Sequence, residues 1–423
     1  MPRVLRILNR FNLGGPTYNA AYLTKYLSTD FETLLVGGAN DPTEKNSEFI
    51  VNNLGISPIK IPEMQRAISP LKDYQALQKL KKLIKEFKPD IVHTHASKAG
   101  ALGRRAAIAC KVPVIVHTFH GHVFDSYFSE WKASFYKRLE RGLAAKSSGI
   151  IAISDIQKED LSVKYKICPP EKVRVIPLGF DLSKFREDTD SKRFEFRQKY
   201  QISDDEIAIG IVGRLVPIKN HKMFLEAFNI LKSKSNRKLR AFIIGDGECK
   251  EEIQEKSREL GLDFVNGVET FKKAPVTFTS WLTDMDEVNA GMDIIALTSL
   301  NEGTPVSLIE AQASGKPIVS TNVGGIENVV MPGKTALLSC KNKPDEFADR
   351  LLELTDNDVL RKDFSNNGWE FVKNKFHYTR LVKDMEEYYY ELLSNTKSKY
   401  FKSADISEDS TNYCNPCMNK FKY

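Results

Sequence analysis

A short β-branched or aliphatic run, then a loop, then an amphipathic segment: this unit recurs along the chain in two series. In the first, VLRIL (4–8) leads through FNLGGPTY to a helix predicted near 17–28, and ETLLVGG (32–38) follows. PDIVHTH (89–95) comes after a strong helical pattern over 71–87, and PVIVHTFH (113–120), GIIAIS (149–154) and VRVIPLG (173–179) succeed it. Continuous apolar runs alternating with helices specify a parallel sheet covered on both faces. A charged stretch at 183–206 reads as a linker with a short helix, after which the pattern restarts. IAIGIVGRL (207–215), a helix near 220–232, LRAFIIGDG (239–247), a helix at 248–260, DIIALTS (293–299) and PIVSTNVGG (317–325) form the second series, closed by helices near 346–356 and 359–371. A last helix is predicted over 378–394. With 423 residues there is room for two complete cores. The expected organisation is an α/β domain at 1–190, a second at 191–376, a helix at 377–395 packing back toward the first, and a polar tail at 396–423.

Composition narrows the partners. Hydrophobic residues make up 41% and charged residues 28%, as in a folded protein. No apolar run approaches the roughly 18 residues of a membrane span, and VLRIL is too short for a signal peptide's apolar region, so a cytoplasmic protein is expected. The six cysteines form no disulfide framework; Cys414 and Cys417 are a redox pair or half a zinc site, and they lack the second pair that a zinc site takes. Residues 1–190 carry 29 Lys and Arg against 20 Asp and Glu, a net +9, and the remainder is −2. An anionic partner therefore meets the first half. Nucleic acid is disfavoured, because no basic stripe is interleaved with stacking aromatics.

In open parallel sheets ligands bind outside the carboxyl ends of the strands, and the polar residues concentrate there. Five of the seven histidines, His93, His95, His117, His120 and His122, fall at two consecutive strand ends. His93 and His95 share a strand face opposite Thr94. A metal site is one reading of this cluster, a chemical or recognition step another, although the spacing matches no familiar ligand pattern. The turn NLGGP, with Gly14 and Gly15, admits close approach of backbone N–H groups to a bound group, or is merely tight. Arg214 and Lys219 in VGRLVPIKN could hold a diphosphate, one as a fork of donors and the other as a point charge. Gly245 ends a strand in GDG, and TSWLTDMDEV places Trp281 and Leu282 where a base could lie. SLNEGTPVSLIEAQASGKP sets Glu302, Gly303, Thr304 and Pro305 before a helix whose free N–H groups favour an anion, with Glu310 about two turns along it.

These motifs together resemble the retaining glycosyltransferases of family 4, from about residue 3 to 392 and most strongly over 207–333. The signature is two glutamates separated by seven residues, here Glu302 and Glu310, with glycine and proline after the first and small residues with GKP after the second. The resemblance implies the GT-B fold, two facing Rossmann-like domains. It implies that Glu310 holds the ribose of a nucleotide-sugar, that Glu302 with Gly303, Thr304 and Pro305 holds the sugar and its phosphate, and that Arg214 and Lys219 stabilise the departing diphosphate. His120 in HTFHGH matches the histidine near the transferred sugar, and Gly14 and Gly15 match the loop beside the diphosphate and acceptor. Gly245 belongs to the donor side, and Trp281 and Leu282 frame the base, although the residue before Trp281 is usually glycine and here is Ser280. Transfer with retention of configuration, no resident cofactor and no metal are the corresponding expectations; no Asp-x-Asp pair stands directly at a strand end.

Members with SLNEGTP and LIEAxAxGKP include many UDP-sugar enzymes of capsule, lipopolysaccharide or lipid-linked oligosaccharide synthesis. A UDP-sugar donor and a glycan or polyprenyl-linked glycan acceptor are expected here. The basic helix at 70–88 has an apolar stripe of Leu77, Leu80, Ile84 and Phe87, which is either core packing or, with its lysines, a surface for an anionic membrane. The competing readings are a GT-B nucleotide-sugar epimerase or hydrolase and a noncatalytic nucleotide-sugar-binding homologue.

Overall fold

The computed structural model describes residues 1–11, 15–38, 48–65, 67–120, 130–268 and 273–408. Gly14, His122, Cys414 and Cys417 lie outside them. The chain forms two compact units, one of residues 1–152, 158–176 and those from Val382 onward, the other of Ile153–Gln157 and Pro177–Leu381.

In the first unit the strands are β1 (Arg3–Arg10), β2 (Glu32–Gly38), β3 (Ile59–Ile61), β4 (Ile91–His95), β5 (Val114–Thr118), β6 (Gly149–Ala152) and β7 (Val173–Val175). They pair in parallel in the order β3-β2-β1-β4-β5-β6-β7. Every residue of β4, β5 and β6 is buried, as a sheet covered on both faces requires. The helix Pro70–Phe87 lays Leu80 and Ile84 into this core, with Leu77 and Phe87 packed at its margin. Its apolar stripe is therefore core packing, and its exposed apolar side chains are different ones, Leu71 and Tyr74 in its first turns.

The second unit contains β8 (Glu206–Val212), β9 (Lys238–Ile244), β10 (Phe264–Asn266), β11 (Val276–Ser280), β12 (Ile294–Leu297), β13 (Ile318–Thr321) and β14 (Ala336–Ser339), in the order β10-β11-β9-β8-β12-β13-β14. The charged stretch at 183–206 is built into this unit. Arg193 and Arg197 of the helix Thr189–Lys199 both bind the Asp293 carboxylate, at 2.8 and 3.1 Å, and Asp293 also accepts from the Ala208 N–H at 2.8 Å. Two arginines hold the carboxyl below its usual range against the opposing effect of burial.

The final helix, Tyr378–Glu408, runs past the predicted end at 394, with no glycine or proline to stop it. From Val382 on it belongs to the first unit, where Tyr389 is fully buried against β1 and β4. Among the described residues no helix is long and apolar enough to cross a membrane.

Candidate active site

The second sheet changes direction between β8 and β12: β9 follows β8 on one side, whereas β12 joins its other side. The carboxyl ends of two strands at such a reversal are where open parallel sheets bind ligands. The loop after β8 carries Arg214 and Lys219, and the loop after β12 carries Glu302. Lys219 Nζ forms an ion pair with Glu302 Oε1, and the Ser299 hydroxyl donates to the same oxygen at 2.5 Å. The loops are also joined by backbone. Leu300 N–H donates to Ile218 O at 2.8 Å, and the Thr298 hydroxyl lies 3.1 and 3.0 Å from the carbonyls of Lys219 and Asn220. Arg214 is exposed, and its guanidinium has no hydrogen-bond or ion-pair partner among the described residues.

Glycines elsewhere hold these loops in place. A Cβ on Gly324, whose φ is +53°, would lie 2.1 Å from the Glu302 carbonyl, and one on Gly325 would lie 1.8 Å from the Gly303 carbonyl. Gly325 N–H instead donates to Glu302 O at 2.9 Å. Gly245 acts likewise at the end of β9: a Cβ there would meet Gly213 O at 1.9 Å, beside Arg214.

Beyond Glu302, exposed Gly303, half-buried Thr304 and buried Pro305 lead into the helix Val306–Ala313, whose amino end no side chain caps. Just over one turn along, nearer its start than the sequence suggests, the Glu310 carboxyl has no hydrogen-bond or ion-pair partner among the described residues. Burial pushes its pKa up to about 7; Lys184 opposes the rise and Asp286 adds to it. Asp286 itself is held by Lys192 and Lys184 at 3.0 and 3.4 Å. An uncompensated carboxyl of this kind costs stability unless a ligand supplies donors.

At the end of β11, Ser280 sits in the left-handed region with φ +57°. Its backbone carbonyl accepts from Gly245 N–H at 3.0 Å, which sets the exit of the chain toward half-buried Trp281 and Leu282. Asp246 and Lys250, which the sequence reading passed over, engage the Ser280 hydroxyl at 2.9 and 3.0 Å.

In the first unit the histidines separate by strand face. His117 accepts from or donates to Thr94 at 2.8 Å and packs where a Cβ on Gly100 would touch its ring, a structural role. His93 and His95 lie side by side on the opposite face, ring centroids 4.2 Å apart and planes tilted by 31°, and His95 Nδ1 meets His120 Nε2 at 3.0 Å. Burial depresses all four: His93, His95 and His117 lie well below the imidazole range, and His120 is near 3. Among the described residues no group of three or more His, Cys, Asp or Glu side chains could hold a metal ion. Gly15 opens the helix Gly15–Tyr26 at the carboxyl end of β1.

Two family profiles divide the chain as the two sheets do. Residues 13–184 match Glycosyltransferase Family 4, and 192–371 match Glycosyl transferases group 1. An Escherichia coli UDP-Gal:alpha-D-GlcNAc-diphosphoundecaprenol alpha-1,3-galactosyltransferase is 32% identical over 337 residues, 79% of this chain and 84% of that one. The chain belongs to glycosyltransferase family 4. It is a nucleotide-sugar-dependent glycosyltransferase with the GT-B fold. The capsular polysaccharide biosynthesis glycosyltransferase CapM of Staphylococcus aureus is 26% identical over 79% of this chain and 86% of its own. Among solved structures, HepE of Anabaena in complex with UDP and glucose superimposes with a TM-score of 0.76 at 19% identity, covering 92% of this chain and 100% of that one.

Proposed function

We propose that this glycosyltransferase moves a sugar, with retention of configuration, from a UDP-sugar to a polyprenyl-linked glycan acceptor in surface polysaccharide synthesis. The observation that carries the reading is the Lys219–Glu302 pair, which joins the loops after β8 and β12 at the carboxyl edge of the second sheet, beside exposed Arg214 and ahead of an uncapped helix that carries the Glu310 carboxyl, unpartnered among the described residues. The E. coli relative, named for a UDP-Gal donor and a diphosphoundecaprenol-linked acceptor, supports the choice of both substrates.

In this reading Glu310 accepts hydrogen bonds from the ribose hydroxyls, Gly245, Trp281 and Leu282 frame the base, and the helix start with Gly303, Thr304 and Pro305 meets the phosphate. Breaking the bond from C1 to the diphosphate oxygen leaves negative charge on the diphosphate and positive charge on the sugar. Arg214 and Lys219 neutralise the former, as a divalent cation would. Glu302, released from Lys219 by the arriving phosphate, turns to the sugar hydroxyls. The acceptor hydroxyl attacks C1 from the face the diphosphate leaves, and its proton passes to the departing diphosphate oxygen, which gives retention. By the family resemblance His120, neutral at working pH, acts on the transferred sugar, and Gly15 at the start of its helix is free for a bound group.

A lipid-linked acceptor brings the enzyme to a membrane surface. The first unit exposes Ile68, Leu71 and Tyr74 around the start of one helix, and Trp131 and Phe135, one turn apart, with exposed Arg138 on another. Both helices begin at the carboxyl edge of their parallel sheet, and aromatic and apolar side chains among cations suit an anionic interface.

Calorimetry with UDP-, GDP- and ADP-sugars in metal-free buffer tests the donor. Saturable UDP-sugar binding, lost in Glu310→Ala, is expected. Binding confined to another nucleotide would refute the UDP assignment, and equal binding by the variant would refute the role of Glu310.

A further inference from the structure

The second sheet carries a buried cation that the proposed function does not use. Arg240, near the amino end of β9, is 4% exposed. It shares a sheet face with Phe242, with Thr277, the neighbour of Phe242 on β11, and with Val265, the neighbour of Thr277 on β10. Phe196 of the helix Thr189–Lys199 and Tyr200 at its end pack against the Phe242 ring, at centroid separations of 5.9 and 5.6 Å. Where the helix stops, a hollow opens whose lining includes Lys199, Tyr200, Arg240, Lys273 and Thr277. Arg240 stands five positions before Gly245, about 16 Å along an extended strand. The hollow therefore lies toward the other end of the sheet from the donor loops.

A guanidinium offers five N–H donors and keeps its charge in a protein. The Arg240 guanidinium carbon lies 5.4 Å from the centre of the Phe242 ring, and Nη2 donates to the Thr277 hydroxyl at 3.2 Å. Nε and Nη1 are buried and have no acceptor among the described residues. Unpaired buried N–H groups are rare, and a buried charge without a partner destabilises the fold. Burial depresses the Arg240 pKa; Glu206 opposes the effect but forms no ion pair with it. The Glu206 carboxylate is taken instead by Lys273, at 2.8 Å. Exposed Lys199 has no ion-pair partner among the described residues, and no described residue lining the hollow is acidic. Lys238, also on β9, is neutralised by Asp205 at 2.6 Å. Three cations thus line the hollow with one carboxylate behind them, an excess of two positive charges.

We propose that this hollow is a second anion site, separate from the donor loops, and that it takes a dianionic phosphate group. Its enclosed part has room for about one water-sized group. One phosphoryl oxygen enters there to accept from the guanidinium, and the others meet Lys199 and Lys273 at the exposed rim. A water would accept the same hydrogen bonds but leave the charge uncompensated, and a carboxylate brings a single charge. A phosphate monoester carries close to two at neutral pH, which matches the excess.

Thermal unfolding of the full chain, titrated with sodium phosphate against sodium chloride at equal ionic strength, reads occupancy as a rise in Tm with concentration. The rise should appear in wild type and in Lys219→Ala, which alters the donor loops, and vanish in Arg240→Met. Lys199→Glu changes only an exposed side chain, so it tests the site even if Arg240→Met folds poorly; it should weaken the apparent phosphate affinity at least about tenfold, the effect of one lost charge-assisted contact. In protein with 15N-labelled arginine, the Arg240 Nε–H resonance, identified by its absence from Arg240→Met, should shift with phosphate and not with chloride. Glycerol 3-phosphate acting as phosphate does, with phosphatidate vesicles left unbound, supports the site with a soluble ligand. Vesicle binding that free phosphate competes away supports it with a lipid headgroup as the source. An equal rise in Arg240→Met or Lys199→Glu, a rise lost only in Lys219→Ala, or no difference between phosphate and chloride overturns the proposal. So does a rise seen only in Glu269→Gln, because the chain's own carboxylate would then occupy Arg240.

Discussion

Donor binding should release a proton from Glu310. In the unliganded protein burial holds this carboxyl near 7 and no described side chain offers it a donor. Two ribose hydroxyls would favour the ionised form and return the group to its ordinary value of 4.5 or below. A fall from about 7 to 4.5 is worth about 3 kcal/mol between the two protonation states. The sign follows from which form binds. Below pH 7 the free enzyme must first lose the proton, so affinity rises with pH, about tenfold per unit at most, and levels off above 7. The diphosphate diester of a nucleotide-sugar has no group titrating in this range, so the slope belongs to the protein. Calorimetry with a UDP-sugar from pH 5.5 to 8.5, in buffers of different ionisation enthalpy, should count nearly one proton released at the acid end and none at the alkaline end. Glu310→Gln should bind more weakly at pH 8 and show no slope. A slope that survives in the variant, or a flat wild-type profile, would refute the reasoning. Stability carries the same linkage with the opposite consequence. The raised pKa means that the unliganded fold loses stability as pH rises from 4.5 to about 7, so Glu310→Gln should gain in Tm relative to wild type toward alkaline pH.

Other perturbations separate charge, packing and surface. Lys219→Ala should lower kcat for UDP-sugar hydrolysis by about 100-fold or more if the lysine offsets charge that develops only as the diphosphate leaves; an effect confined to KM would make it a ground-state contact. Glu140→Ala should lower the unfolding free energy by about 3–5 kcal/mol in urea titrations, because it strands the buried Arg104 guanidinium now paired with it at 2.7 Å, and a change under 1 kcal/mol would refute that. Tyr389→Phe should cost about 1–3 kcal/mol in the same assay by leaving Arg6 and His93 each short of a partner. Binding to anionic vesicles at low salt should weaken on replacing Trp131 and Phe135 with serine and as salt is added; retention by the variant would place the membrane contact elsewhere.

Much of the fold could be read because long β-branched runs carry their own signal. The strands Ile59–Ile61, Phe264–Asn266 and Ala336–Ser339 could not, being three or four residues that acquire strand geometry only by pairing at or near a sheet edge. The stretch at 183–206 misleads for a related reason: its arginines look like solvent-exposed charge until Asp293, about a hundred positions on, collects them. The site shows the same division. Spacing alone puts Glu302 and Glu310 on one loop and helix, but the Lys219–Glu302 pair depends on the reversal of strand order between β8 and β12, a property of topology that no local pattern encodes. The bond from His95 to His120 likewise depends on which faces β4 and β5 present.

Ser280 joins the two levels. The sequence departs from the family's usual glycine there, and the backbone explains the preference: φ is +57°, a conformation that costs a side chain about 1–2 kcal/mol. A chain that keeps this geometry without glycine needs a compensating contact, and the hydroxyl supplies it by donating to Asp246 at 2.9 Å while accepting from Lys250 at 3.0 Å. Each such bond to a charged group is worth about 1.5–3 kcal/mol, enough to offset the strain. The turn that directs the chain to Trp281 is therefore held, without glycine, by a polar clasp of Asp246 and Lys250 on the Ser280 hydroxyl.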